Sequence, residues 1–294
     1  MSPRQSISEL LARGWRSFSF EFFPPKDAEG EEVLWRSIRE LEPLRPTFVS
    51  VTYGAGGTTR DRTIAITGRI ATETTMLPMA HLTCVGHTVA ELEGILDALA
   101  EAGVTNVLAL RGDPLGGPGT PWVSTEGGLD HAADLIGLIR ARRQFAVGVA
   151  AFPEGHRDSV SLDEDVEVLR AKRDAGAEFA VTDMVLRASD YLSLVERARA
   201  AGVDFPIVPG IMPILGLRSM IRMVELSGRE MPAETLARIT PYAEDPAAVR
   251  AEGIAIATEL CDELLAAGAP GLHFFTLNRS KATREIFEAL GVRA

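Results

Sequence analysis

Residues 17–26 read SFSFEFFPPK. Through the first six, Ser17, Ser19 and Glu21 alternate with Phe18, Phe20 and Phe22, the two-residue period of a strand with unlike faces, and Pro24-Pro25 ends it. If helices cover the Phe face, the other face looks into the middle of a sheet or barrel. Glu21 then falls near the strand's C-terminal end among apolar neighbours. Desolvation there disfavours the carboxylate and is expected to raise its pKa, which suits a general acid near neutral pH. A structural ion pair is the other role open to such a residue.

Outward from this strand, apolar runs rich in Val, Ile and Phe recur at 48–53, 79–85, 106–110, 146–151, 179–182, 205–208 and 272–276. A short helical lead-in at 7–12 precedes the first run, and amphipathic segments at 31–44, 60–73, 89–102, 129–142, 162–175, 191–200 and 217–226 separate the rest. A helical pair, 233–239 and 246–267, comes before the last run. Eight strands alternating with helices predict an α/β protein, a single (β/α)8 TIM barrel with extra helices before the last strand; an open doubly wound sheet is the competing arrangement. Residues 1–294 are expected to form one catalytic domain, because one barrel uses this length and no linker-like change of composition interrupts it.

A net charge of −11 and a pI near 5.1 argue against a nucleic acid or an anionic membrane as partner, and favour a small molecule. Cys84 and Cys261 lie far apart in apolar runs, without metal-ligand spacing, and read as buried thiols of a reducing compartment. No metal site is expected. The N-terminal residues lack a signal-like apolar core and no run approaches a membrane span, so the expected location is cytoplasmic.

In a barrel of this kind chemistry gathers where strands end. Those positions hold Glu21, Thr52, His81, Arg111-Gly112-Asp113, His156, Thr182-Asp183, Met212-Pro213 and Leu277-Asn278-Arg279. Residues 111–122, RGDPLGGPGTPW, form a candidate lid. Gly54 to Thr59 could offer backbone N–H groups to an anion or be a plain turn, and residues 127–134 read as a second such helix start. Asp165 and Lys172 fall on one helix face two turns apart, where a solvated stripe is the ordinary reading.

Together these pieces resemble the methylenetetrahydrofolate reductases of the bacterial type. The resemblance runs from about Ser17 to Val292 and rests on FSFEFFPPK, FVSVTYGAGGTTRDRT, AHLTC, LALRGDP, VAAFPEGH, AGAEFAVT, PGIMP and HFFTLNRS. It implies a barrel that reduces 5,10-methylenetetrahydrofolate to 5-methyltetrahydrofolate with NADH or NADPH as hydride donor. It places the general acid on Glu21 and the carboxylate beside pterin and flavin on Asp113. It assigns flavin contacts to Thr52, His81, Arg111, Gly112, Ala132, His156, Asp165 and Lys172, and sets Leu277 and Arg279 near substrate or nicotinamide. The acid is needed because opening the five-membered ring requires a proton on its aryl-bearing nitrogen, leaving a 5-iminium cation.

The chain also departs from the family pattern. Asp183 stands where most members have a Gln, Leu217 where a Phe packs over nicotinamide or pterin, and Phe152 where a Tyr meets the flavin; Val168 and Ala171 replace polar or basic contacts. These departures resemble an actinobacterial branch that passes hydride straight from NADH to the iminium, and FAD is expected to be absent. A carboxylate at Asp183 would favour that cation and repel an anionic reduced flavin, unless it pairs with Arg187. The same reaction through bound FAD and a non-catalytic folate-binding barrel are the alternatives.

Overall fold

The computed structural model describes residues 6–54, 60–114, 116–142 and 145–291. The glycine-rich candidate anion site at Ala55 to Thr59 lies outside them. Eight parallel strands, β1 (Ser17–Phe22), β2 (Phe48–Val51), β3 (Pro78–Thr83), β4 (Asn106–Leu110), β5 (Ala146–Ala151), β6 (Phe179–Met184), β7 (Ile207–Ile211) and β8 (Gly271–Phe275), pair in order, and β8 returns to β1. The closed (β/α)8 barrel is the expected fold.

Helix α1 (Ile7–Leu11) precedes β1; α2 (Ala28–Leu41), α3 (Arg60–Glu73), α4 (Val89–Glu101), α5 (Ala132–Arg142), α6 (Leu162–Asp174), α7 (Ala188–Ala200) and α8 (Leu217–Leu226) follow the first seven strands. The additional helices α9 (Ala233–Ile239) and α10 (Pro246–Ala266) come before β8, and α11 (Ser280–Ala289) closes the ring. Many start on side-chain caps: Asp27, Thr88, Ser161 and Asp245 each accept backbone N–H groups of the first turn.

The alternation in β1 sorts its side chains as read. Phe18 and Phe20 face outward onto Phe287 of α11, with ring centroids 4.9 and 6.1 Å away, while Ser19 and Glu21 face the barrel axis. Each fully buried Phe is worth roughly 1.5–3 kcal/mol of transfer free energy, so the outward face anchors the strand. Inside, Phe48, Met79, Leu108, Phe179, Val181 and Val208 fill the lower barrel, and Ile7 and Leu11 of α1 plug its N-terminal end. Gly148 makes this filling possible, since a Cβ there would stand 2.5 Å from the Phe179 ring. At the N-terminal end Asn106 ties α1 to the barrel, accepting the Ile7 N–H at 2.9 Å; the titratable residues gather at the opposite end, where the strands finish.

Candidate active site

Glu21 is 6 % exposed at the C-terminal end of β1, and three strands converge on it. Ser50 Oγ of β2 donates to Glu21 Oε2 at 3.3 Å, His273 Nε2 of β8 hydrogen-bonds the same oxygen at 3.4 Å, and His81 Nε2 of β3 stands 3.4 Å away. His273 is buried, stacked 5.6 Å from Phe48, and its Nδ1 lies 2.7 Å from Ser19 Oγ, which also reaches the Leu272 carbonyl at 3.4 Å. Closure of the barrel builds this cluster, because register sets Glu21 beside Ser50 on one side and Phe275 on the other.

The expectation of a raised Glu21 pKa is corrected here. Burial does push the carboxyl up, but the hydrogen bond from His273, the charges of His81 and His273 and the Ser50 hydroxyl outweigh it and hold Glu21 below its ordinary value. Burial pushes His81 down to about 4, leaving it neutral near pH 7, so there the pull on Glu21 comes from His273 and Ser50. The open site therefore holds a carboxylate in contact with imidazoles. His81 Nε2 makes no hydrogen bond among the described residues, and the structure sets it against the Glu21 carboxyl rather than in the cleft described next.

Seven of the candidate residues come together elsewhere, in a cleft of about 680 Å³ over the ends of β3 to β5 and between α5 and α6: Arg111, Gly112, Asp113, Ala132, His156, Asp165 and Lys172. Gly112, at φ +87°, fits because a Cβ would lie 2.5 Å from Val85 and 2.9 Å from Thr83. Asp113 is exposed at the rim. Arg111 spans the opening: its guanidinium pairs with Asp158 at 2.7 Å and lies 4.9 Å from the Trp122 ring centre in the candidate lid. Burial, then the charge of Arg111, hold His156 below its usual value.

Asp165 and Lys172 are not a solvated stripe. Asp165 accepts the His156 N–H at 2.9 Å and the Ser159 hydroxyl at 2.8 Å, fixing the loop before α6. Lys172 is buried, donates to the Ala150 carbonyl at 2.8 Å, and is lowered to about 8 by desolvation. Phe152, Val168 and Ala171 give the cleft an apolar wall.

Asp183 sits where β6 shifts register between Val181 and Met184, at the C-terminal end of the strand. Its partner is Arg229, from the turn after α8, rather than Arg187, which pairs with Glu234 at 2.7 Å. Arg229 is 7 % exposed on its side chain; it donates to Asp183 Oδ2 at 2.8 Å, to the Met184 carbonyl at 2.8 Å and to Glu154 at 3.3 Å. Asp183 Oδ1 accepts the Met184 N–H at 2.7 Å. Burial, opposed by Arg229, raises the Asp183 carboxyl, and the charge of Glu21 adds to the rise.

Thr52, Leu277 and Arg279 occupy other mouth loops and Leu217 begins α8; none of the four lines the cleft. The Thr52 carbonyl accepts from Thr63, and Leu217 packs in an apolar group with Met184, Met220 and Phe275. Sequence reading missed Ser19, Ser50, His273 and Arg229. The first three were signalled only as polar positions alternating within apolar strands; Arg229 carried no signal. Among the described residues no group of three or more His, Cys, Asp or Glu could hold a metal, and no helix is long and apolar enough to cross a membrane.

A family model described as methylenetetrahydrofolate reductase matches residues 6–291. Methylenetetrahydrofolate reductase (NADH) 1 of Arabidopsis thaliana is 38% identical over 303 residues, covering 99% of this chain and 51% of the relative. The 5,10-methylenetetrahydrofolate reductase of Escherichia coli is 35% identical over 294 residues, covering 99% of this chain and 97% of its own. The chain thus spans about half the length of the yeast and plant relatives it matches. A solved structure described as an uncharacterized protein from Clostridium thermocellum that binds two copies of 5-methyl-5,6,7,8-tetrahydrofolic acid superimposes with a TM-score of 0.70 at 12% identity, over 97% of both chains; that likeness is one of fold.

Proposed function

The chain belongs to the methylenetetrahydrofolate reductase family, and from that premise we propose that its barrel acts as one catalytic domain reducing 5,10-methylenetetrahydrofolate to 5-methyltetrahydrofolate, with hydride passing directly from NADH. The plant relative's naming as an NADH enzyme supports that donor over NADPH. The observation that carries the reading is Glu21, a carboxyl buried where the strands end, hydrogen-bonded by Ser50 and His273 and with His81 Nε2 3.4 Å away.

The reaction consumes one proton and one hydride. The aryl-bearing nitrogen takes the proton as its bond to the methylene carbon breaks, and that carbon becomes the iminium. Hydride then moves with its electron pair from the reduced nicotinamide to the carbon, giving the methyl group and the oxidised nicotinamide. Glu21 delivers the proton. Because the open site holds it as a carboxylate, Glu21 takes up a proton from solvent as folate binds. Ser19 Oγ serves either tautomer of His273: the hydroxyl donates to Nδ1, or accepts from it while donating to the Leu272 carbonyl. Folate over the mouth removes water, strengthens the desolvation that favours the protonated carboxyl, and moves the proton onto Glu21.

Asp183 and Glu154 share the single cation Arg229, so the ionised group keeps one negative charge. That excess favours an iminium and a forming nicotinamidium, though less than an unpaired Asp183 would. Asp113, at the cleft rim, is proposed to act in the same sense on the folate side.

The cleft has the size of a site for a large organic ligand, and this favours a second reading, the same reaction through FAD. Its donors fit a resident anionic dinucleotide poorly. Arg111 is paired with Asp158, Lys172 is turned to a carbonyl, and Asp113, Asp134, Asp158, Glu164 and Asp165 outnumber these two cations. A visiting donor tolerates weaker binding, since substrates commonly bind in the roughly micromolar to millimolar range. The test is the absorption spectrum of the purified protein with an NADH-oxidation assay. A colourless protein that oxidises NADH with methylenetetrahydrofolate and no added flavin is expected; a stoichiometric flavin band would favour the second reading.

A further inference from the structure

Beyond Phe22 the first strand has no regular strand partner, yet its end is tied down by one side chain 255 positions away in sequence. The Phe23 N–H donates to Asn278 Oδ1 at 2.8 Å, and Asn278 Nδ2 donates to the Phe23 carbonyl at 2.8 Å. An amide side chain thus replaces a neighbouring strand, satisfying both backbone groups of one residue. Asn278 is itself held at two further points: its N–H donates to Thr276 Oγ1 at 3.1 Å, and its carbonyl accepts from Ser37 of α2 at 2.6 Å. Thr276 Oγ1 in turn donates to the Glu21 carbonyl at 2.6 Å. The acid's backbone and that of the residue two beyond it are therefore fastened to one turn.

That turn is strained. Leu277 and Asn278 have φ of +51° and +57°, two of the three non-glycine residues in the left-handed region among those described. Asn tolerates this conformation, but Leu does not favour it. Glycine, which would relieve the strain, is absent at both positions. The strain persists because four hydrogen bonds at Asn278 over-determine the turn.

We propose that Asn278 is a positioning residue for the proton transfer: its side-chain amide clasps Phe23 and so fixes where the Glu21 carboxyl stands against the folate nitrogen. A general acid works within hydrogen-bond reach, and a displacement of about 1 Å in such a group costs on the order of 10²-fold in rate. The clasp touches no substrate. It acts through the strand, and the proposal rests on the assignment of Glu21 as the acid.

The test is a double-mutant cycle joined to a pH series on the intact protein. Asn278→Ala should lower kcat with methylenetetrahydrofolate and NADH by roughly 10- to 100-fold while the KM for NADH changes little. In the Glu21→Gln background the same substitution should cost less than about threefold, because the group it positions no longer donates. Asn278→Gly keeps the left-handed turn without strain and loses only the clasp; it should fall as far as Asn278→Ala. Asn278→Asp supplies the rescue. Its ionised carboxylate faces the Phe23 carbonyl without a hydrogen, whereas the protonated acid offers one acceptor and one donor as Asn does. Its kcat relative to Asn278→Ala at equal pH should therefore climb on acidification.

Equal losses from Asn278→Ala in both backgrounds, or an Asn278→Gly enzyme of normal kcat, would overturn the proposal. A flat ratio of Asn278→Asp to Asn278→Ala across pH, with both folded by circular dichroism, would overturn it too. A Glu21→Gln enzyme of normal turnover would instead remove the assignment of the acid.

Discussion

Replacing Asp183 by Asn removes one charge with almost no change of shape, and the structure sets what it should cost. Asp183 has two acceptor oxygens, one taking the Met184 N–H at 2.7 Å and the other Arg229 at 2.8 Å. Asn has one oxygen and an NH2 group, so one of these donors must face another donor. If Met184 keeps the oxygen, Arg229 loses a charge-assisted bond in a buried position and retains Glu154 at 3.3 Å and the Met184 carbonyl. The loss is about 1.5–3 kcal/mol of stability, a fall of a few degrees in Tm for a chain of this size. The catalytic effect is separate: the group changes from one net negative charge to none, and the cationic iminium loses support of ~1–3 kcal/mol, about tenfold or more in turnover. The assay is NADH oxidation with methylenetetrahydrofolate, with and without added FAD, beside a thermal melt. A lowered Tm with unchanged turnover would refute the electrostatic reasoning and leave Asp183 as a tie for Arg229. Activity gained only with FAD, above all in Asp183→Gln, would refute the flavin-free reading.

Glu21→Gln should leave the barrel folded and folate binding near normal while slowing the hydride step by roughly 10²–10⁴-fold in single-turnover kinetics, the range of a lost general acid. His81 is lowered from 6.5 to about 4, so between those values the unfolded chain binds a proton that the folded one refuses, and stability falls as pH drops through the window; denaturant titrations of His81→Gln against the parent at about pH 4 and 7 should show a shallower acid loss. Lys172, lowered from 10.5 to about 8, follows the same sign in a higher pH window. Below pH 8 the folded state holds a buried ammonium, and parental stability rises with pH from about 8 to 10.5 as the folded state sheds its proton first. Lys172→Met should be more stable near pH 7 by roughly 1–2 kcal/mol, after allowing for the lost bond to Ala150, with the gap closing at high pH. Dinucleotide binding measured by calorimetry should weaken in the same variant.

The barrel was legible because each strand is a short apolar run and each helix an amphipathic one, signals that belong to single segments. β1, β4 and β5 begin and end where alternation and flanking residues place them. β6 runs two residues past its expected end, because the register shift lets Asp183 and Met184 stay in the sheet. The acid cluster was half legible. Glu21 stands out in its own strand, whereas Ser50, 29 positions away, becomes its neighbour only when β1 and β2 pair, and His273, 252 positions away, only once eight strands close. No local pattern says which polar residue of β8 will reach β1.

The two errors about charge share one cause. The raised pKa expected for Glu21 counted the water lost on burial and omitted the imidazole and hydroxyl that replace it, which reverse the sign. The open charge expected at Asp183, or its pairing with Arg187, omitted a guanidinium from the turn after α8, 46 positions on and outside every motif. Desolvation can be read from one strand, because the strand carries its own apolar neighbours. Compensation cannot, because partners arrive from whichever loops the topology brings to the mouth. The consequence for the proposed mechanism is specific. If Glu21 is the acid, a carboxylate already stabilised in the open site becomes a donor only when substrate changes its surroundings, so the proposal requires folate, by covering the cluster and expelling water, to bring the proton onto Glu21.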